Sequence, residues 1–263
     1  MSTTTRMPAY LRSTNESVTA RRRPVPDDVF GGRLTECFLL DLEVEAIQDR
    51  SPRFRTITFR SPDLVGFEWK AGQDLMFDVP GDASGMRRRY TIRRADPVRG
   101  TADIDVVLHE HGRFAGWAKA AAPGDRIEAI GPRGAITLRA DASHHLFVGD
   151  ESSIGAAFAM VEALPAGTTA TVVLACDGEP PVEPPVTSAE LELAWLPEGA
   201  VADHLRSLEL AAGTVAYISG ERSLTRRAAD VLAARQLPAE AISVKPYWRR
   251  DRPNASHGEP SRD

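Results

Sequence analysis

The sequence changes rhythm once, and that change constrains the fold more than any other feature. From Cys37 to about residue 137, short alternating runs are broken by turn residues. From His144 onward, compact apolar runs of strand length alternate with stretches of helical period. Strand side chains repeat every two residues and helix side chains every 3.6, so the first part reads as a β unit and the second as an α/β unit.

In the first part, Phe38-Leu39-Leu40 leads into Leu42, Val44 and Ile47, and Phe54 to Phe59 alternates again. Ser61-Pro62-Asp63 is a turn, and Gln73 to Val79 is a strand closed by Pro80-Gly81. Residues 88–94 and 103–109 are two further strands, joined through Ala95-Asp96-Pro97 and Arg99-Gly100. A short helix over Ala115 to Ala121 ends at Pro123-Gly124, and a last strand, Asp125 to Ile130, stops at Gly131-Pro132-Arg133-Gly134. Six short strands with one helix before the last predict an antiparallel β-barrel within residues 34–140.

In the second part, strands are predicted at 145–148, 169–175, 191–195, 215–219 and 242–248, with helices at 154–164, 201–208 and 224–235. Such alternation implies a parallel sheet covered on both faces, within residues 144–250. The fold class is therefore a β-barrel plus α/β, linked by Leu138 to Ser143. The proline-rich stretch 177–188 is expected to be an exposed loop. Residues 1–33 are expected to form a disordered or loosely docked arm, and 251–263 a disordered tail.

A chain of 263 residues has room for two such units, and a net charge of −5 leaves no basic excess for binding nucleic acid. No run of 18 apolar residues and no apolar stretch near the start is present, so neither a membrane span nor a secretory leader is expected, and a cytoplasmic location is. Cys37 and Cys176 lie far apart, which gives no spacing for a disulfide framework, a zinc site or an iron–sulfur cluster. His144 and His145 open a strand with no further ligand at metal-binding spacing.

Residues 88–117 carry the chemistry. Tyr90 offers a flat face and a phenol, Thr91 a hydroxyl, and Arg88 a fork for phosphate. Gly112 opens a helix whose N-terminus can receive a pyrophosphate. The set suits an aromatic, phosphate-bearing ligand such as a flavin. Ligands of open parallel sheets bind beyond the carboxyl ends of the strands, which here are Gly149-Asp150-Glu151 and Gly220-Glu221-Arg222. A nicotinamide nucleotide would arrive there, with Gly220, Glu221 and Arg222 as its candidate contacts.

These pieces resemble the siderophore-interacting proteins, FAD-dependent ferric-siderophore reductases of the ferredoxin-reductase superfamily. The resemblance rests on Arg88-Arg89-Tyr90-Thr91-Ile92-Arg93, Asp105-Val106-Val107-Leu108-His109, Trp117-Ala118, Pro123-Gly124-Asp125, Gly131-Pro132, Gly149-Asp150-Glu151-Ser152, Gly220-Glu221 and Lys245-Pro246-Tyr247-Trp248-Arg249-Arg250, and it covers residues 37–250. It implies an FAD site in which Arg88 lies near the phosphates, Tyr90 packs on the isoalloxazine and Thr91 lies near its reactive nitrogen. Val107 and His109 would line the adenine and phosphate side, with Gly112, Ala115 and Trp117 over the pyrophosphate. Asp150, Glu151 and Ser152 would stand at the crevice, and Lys245, Tyr247 and Trp248 beside the flavin and the ferric-siderophore pocket. The implied activity passes electrons from NADPH, NADH or a ferredoxin-like donor through FAD to Fe(III), with no metal ligand from the protein. Lys245 and Arg55 would attract an anionic chelate. A flavin reductase for another acceptor and a non-catalytic flavin- or siderophore-binding module remain as alternatives. Two departures stand out: Gly155 replaces the family's proline, and Phe114 enters the segment after Gly112.

Overall fold

A computed structural model describes residues 23–24, 37–82, 87–110 and 112–250. The expectations for the arm and the tail fall outside these residues, apart from Arg23–Pro24 (β1), a two-residue strand paired with Phe38 and Leu39. The first unit is a closed antiparallel barrel of six strands: β2 (Phe38–Ser51), β3 (Phe54–Arg60), β4 (Asp74–Asp78), β5 (Arg88–Asp96), β6 (Thr101–Val107) and β7 (Arg126–Arg133). Their order is β2-β3-β6-β5-β4-β7, and β7 pairs back onto β2. Helix α1 (Arg113–Ala120) contributes Phe114 and Ala118 to the barrel core.

Alternation explains what each strand buries. On β3, Ile57 and Phe59 belong to the barrel core, while Phe54 belongs to a second cluster shared with the α/β unit. On β6, Ile104 and Val106 face the core, and Asp105 and Val107 face the α/β unit. On β5, Tyr90 packs against the interior that holds Ile92, whereas Arg93 reaches the α/β unit. β2 runs longer than its alternation predicts, to Ser51, because irregularities near Glu45 and Arg50 shift its register with β3.

The second unit is a five-stranded parallel sheet of β8 (His144–Asp150), β9 (Thr169–Ala175), β10 (Glu190–Leu196), β11 (Thr214–Glu221) and β12 (Ile242–Trp248), in the order β10-β9-β8-β11-β12. Helices α3 (Glu198–Ser207) and α4 (Arg222–Ala234) cover the face carrying Leu146, Val148, Ala216 and Ile218. Helix α2 (Ile154–Glu162) covers the face carrying Phe147, Val172, Leu174 and Tyr217. Every α2 residue from Ile154 to Val161 is buried, because the sheet lies on one side of the helix and β5 and β6 of the barrel on the other. Gly155 stands where the resembled family carries a proline; a Cβ built there would meet the Asp105 side chain at 3.4 Å, an ordinary contact distance, so α2 approaches β6 closely without requiring glycine. At the end of α2, Arg93 and Arg94 each grip the Glu162 carboxylate with two hydrogen bonds of 2.5–2.9 Å. Arg93 also pairs with Asp105 at 3.4 Å. Burial alone would raise the Glu162 pKa, but the two guanidiniums prevail and hold it at about 2.

Candidate functional site

The sheet changes winding direction between β8 and β11, which opens a crevice beyond their carboxyl ends. One carboxylate organises its floor. Asp150 accepts hydrogen bonds from the Ser152 amide at 2.8 Å, the Glu221 amide at 2.6 Å and the Trp248 indole Nε1 at 2.9 Å, so it joins the ends of β8, β11 and β12. The Ser152 hydroxyl donates to the same carboxylate. Burial pushes the Asp150 pKa above the ordinary carboxylate range. Gly220 has φ +116, and a Cβ there would stand 2.7 Å from Asp150 Oδ2, so the tie requires glycine. Asp150 thus brings Ser152 and Trp248 together, each donating to its carboxylate.

Glu221 is also engaged internally. It is the N-cap of α4 and accepts from the amides of Ser223 at 2.6 Å and Leu224 at 3.1 Å. Burial opposes the charge, but these hydrogen bonds keep its pKa below the usual value. The carboxylate therefore occupies the helix N-terminus that a nucleotide phosphate would have used. Arg222, in the first turn of α4, is exposed.

Across the crevice, Asp74 on β4 is the register partner of Thr91 on β5. The Asp74 side chain is 4% exposed, and its Oδ2 accepts from Lys245 Nζ at 2.7 Å. Lys245 Nζ also lies 5.7 Å from the centre of the Tyr247 ring. Lys245, Tyr247 and Thr91 are therefore brought to one place, with Asp74 between them. A slot of about 30 Å³ runs beneath Lys245, lined by residues including Gly72, Ile136, Ser153 and Tyr217. Arg53 makes the second bridge between the units: its Nε lies 3.0 Å from Glu151 Oε1 and its Nη2 3.2 Å from Cys176 Sγ. Burial, and then the Glu151 carboxylate, push the Cys176 thiol above its ordinary pKa.

The cradle at residues 88–117 differs from its expected form. Arg88 and Arg113 converge on one carboxylate, Asp82, at 3.8 and 2.8 Å, and Asp82 is almost wholly enclosed. Arg113 is the first residue of α1, and Gly112, its N-cap, supplies no side-chain cap. Two guanidiniums before a helix start form an anion site, and Asp82 shows that an oxyanion fits them. Tyr90 packs on Phe114 with ring centres 4.2 Å apart and stays partly exposed, and burial raises its phenol pKa. Phe114 thus covers one face of the ring proposed for a flavin. Trp117 stacks on Phe59 and packs against the barrel core, and Ala115, in the first turn of α1 beside Arg113, is fully buried.

Three expected placements change. β6 ends at Val107, so His109 lies in the connection to α1, where its ring fills the space that a side chain at Gly112 would need. Val107 packs in the cluster shared with α2, because its alternation sets it on the outer face with Asp105. Arg55 does not join Lys245: its guanidinium pairs with Asp49 at 2.6 Å and holds the Ala118 carbonyl at the end of α1, also at 2.6 Å. The larger recess, about 510 Å³, is bordered by Asp41, Asp78, Asp82 and Glu128 together with Arg126.

Sequence reasoning missed Asp74, Asp82, Arg53 and Arg113. Asp74 and Asp82 flank the strand and turn that the alternation identifies, and a buried-parity carboxylate on a barrel strand is the signal that marks Asp74.

The family model of the siderophore-interacting FAD-binding domain matches residues 72–136, and that of the siderophore-interacting protein matches residues 142–251. An uncharacterized protein of Mycobacterium tuberculosis is 30% identical over 190 residues, 68% of this chain and 64% of the relative. The chain thus spans 64% of the length of that curated relative. The ferric vibriobactin reductase ViuB of Vibrio cholerae is 25% identical over 245 residues, 77% of this chain and 86% of the relative. The crystal structure of the siderophore-interacting protein SipS from Aeromonas hydrophila superposes with a TM-score of 0.72 at 27% identity, covering 81% of this chain and 92% of that one. A closed barrel carrying an anion site, a doubly wound sheet facing it, and two adjoining family matches lead to one assignment: the chain belongs to the siderophore-interacting protein family.

Proposed function

We propose that the protein is a flavin-dependent ferric-siderophore reductase. Electrons pass from NADPH or NADH through FAD to Fe(III) held in a siderophore, and Fe(II) is released for iron assimilation. The observation that carries this reading is the meeting of Thr91, Asp74, Lys245 and Tyr247 across the crevice, which brings a barrel strand and the last sheet strand to one acceptor position. The printed name of the Vibrio cholerae relative, a ferric vibriobactin reductase, supports it.

FAD, when bound, supplies the conversion between a two-electron donor and one-electron reduction of iron. Arg88, Arg113 and the start of α1 would hold its pyrophosphate in exchange for Asp82. Tyr90 would offer its remaining ring face, and Thr91 its hydroxyl. Asp150 fixes Trp248 at the crevice floor, so Trp248 borders the ligand as a positioned wall. The chelate's hard oxygen donors hold Fe(III) more tightly than Fe(II), so reduction loosens the metal without a protein ligand. With a reduced nicotinamide as the donor, the reaction would run in the cytoplasm.

A protein donor of ferredoxin type is the second reading for the reducing side. It is favoured by Glu221, whose carboxylate closes the α4 N-terminus to a nucleotide phosphate and leaves exposed Arg222 beside it. Anaerobic titration tests both. The expected result is a yellow protein bleached by NADPH, NADH or reduced ferredoxin and reoxidised by a ferric siderophore. A colourless protein that takes up no FAD would refute the reading. Full retention of FAD by both Tyr90→Ala and Arg88→Ala would refute the cradle.

A further inference from the structure

The crevice cation best placed to attract a chelate is already neutralised from across the domain boundary. Lys245 Nζ sits 2.7 Å from Asp74 Oδ2, and the Asp74 side chain is 4% exposed against 23% for Lys245. The second Asp74 oxygen, Oδ1, is buried with no hydrogen-bond partner among the described residues. Two other described cations at the rim repeat the pattern. Arg53 is paired with Glu151 at 3.0 Å, and Arg250 with Glu198 at 2.6 Å. Arg133, the register partner of Asp74 across the ladder, is buried and directs its Nη1 to Met76 Sδ.

Charge at this position decides which chelates are admitted. Three hydroxamates neutralise Fe(III), whereas three catecholates leave a complex of charge −3. A trianion brought to the mouth of the slot meets an ion pair of no net charge in place of a free lysine, and it loses hydration there without a compensating attraction. A neutral complex meets no such barrier, and the Tyr247 ring beside Lys245 gives it apolar contact. We propose that Asp74 is a specificity-determining residue that tunes the acceptor site to ferric chelates of low net charge, the trihydroxamate class, over tris-catecholates. This inference rests on the reductase reading above.

Gallium(III) complexes test it without redox chemistry, because they match the ferric complexes in charge and shape and accept no electron. Binding is followed by quenching of tryptophan fluorescence in the FAD-loaded protein. The wild type is expected to bind the gallium trihydroxamate at least tenfold more tightly than the gallium tris-catecholate. Asp74→Asn keeps the shape of the pair while freeing the charge of Lys245, and it is expected to tighten tris-catecholate binding about tenfold and to change trihydroxamate binding less than about threefold. The double variant Asp74→Asn/Lys245→Gln removes both charges and is expected to return to the wild-type preference, which a purely structural role for Asp74 would not produce. Equal or tighter binding of the tris-catecholate by the wild type, or an unchanged ratio in Asp74→Asn, would overturn the inference and leave the reductase reading standing. Absence of binding by both complexes to all three proteins would overturn the reductase reading itself.

Discussion

The two units touch in two places of opposite character. Along the seam, α2 lies between sheet and barrel, every residue from Ile154 to Val161 is buried, and Glu162 is gripped by two arginines. Along the crevice, contact is made by single polar bridges, Lys245 to Asp74 and Arg53 to Glu151, with the cations 23% and 37% exposed. Apolar area and a doubly paired carboxylate fix geometry, because breaking them leaves cavities or buried unpaired charge. The Arg53 bridge, exposed on the arginine side, costs little to open because water replaces what is lost, and Lys245 can turn to a ligand only where that ligand or water takes over its contact with buried Asp74. The seam sets how the domains lie, and the crevice can yield to a ligand without disturbing them.

The comparison fails if the seam proves weak. Glu162→Ala takes two hydrogen bonds from buried Arg93 and leaves it paired with the Asp105 carboxylate at 3.4 Å, and is expected to cost about 3 kcal/mol, read as a fall of about 10 °C in the thermal midpoint. A fall of under 2 °C would remove the seam's claim.

Acid should separate two parts of the sheet's α2 side. His145 is buried and stacks on Phe147 and Tyr217, and burial holds it and His144 below the ordinary histidine pKa. Their contribution is full above the unfolded value of about 6.5 and is lost as pH falls below it. The Glu162 carboxylate is depressed, so its contribution, about 2 kcal/mol after screening, is full above its unfolded value of about 4.5 and lost only as pH falls toward 2. Denaturant midpoints measured from pH 8 to pH 3 should therefore begin to drop near pH 6.5. In His144→Gln/His145→Phe that first drop should disappear.

A crevice bridge should matter less to stability. Arg53→Ala is expected to cost under about 1 kcal/mol in the same denaturant assay, and a cost equal to that of Glu162→Ala would erase the distinction between the two contacts. The smallest effect sharpens the seam. At Gly155 an added Cβ meets Asp105 at ordinary contact distance, 3.4 Å, so Gly155→Ala is expected to stabilise the protein by about 0.5–1 kcal/mol through helix propensity.

The fold class was legible because periodicity is local. The barrel alternation of β3, β5 and β6 and the buried runs of β8 and β9 all appear in the sequence. Element ends were less so: β6 stops at Val107, and α3 begins at Glu198 rather than Val201 because Pro197 starts it. The outward placement of Val107 was readable from its parity with Asp103 and Asp105, though the family motif drew attention elsewhere. The internal engagement of the site residues was not readable. Lys245 and Asp74 are separated by 171 positions, Arg53 and Glu151 by 98, and Trp248 and Asp150 by 98. No local pattern encodes which charge will meet which across a closed barrel.

The burial of α2 on every side has one more consequence. The segment 138–143 looks like a boundary at which the chain could be cut, yet Phe54 and Val107 of the barrel share a cluster with Ala157 and Phe158. Separated at that point, each half would present a large greasy surface to water. The protein should accordingly melt as one cooperative unit, with a single calorimetric peak, and neither half should be obtainable as a well-behaved fragment.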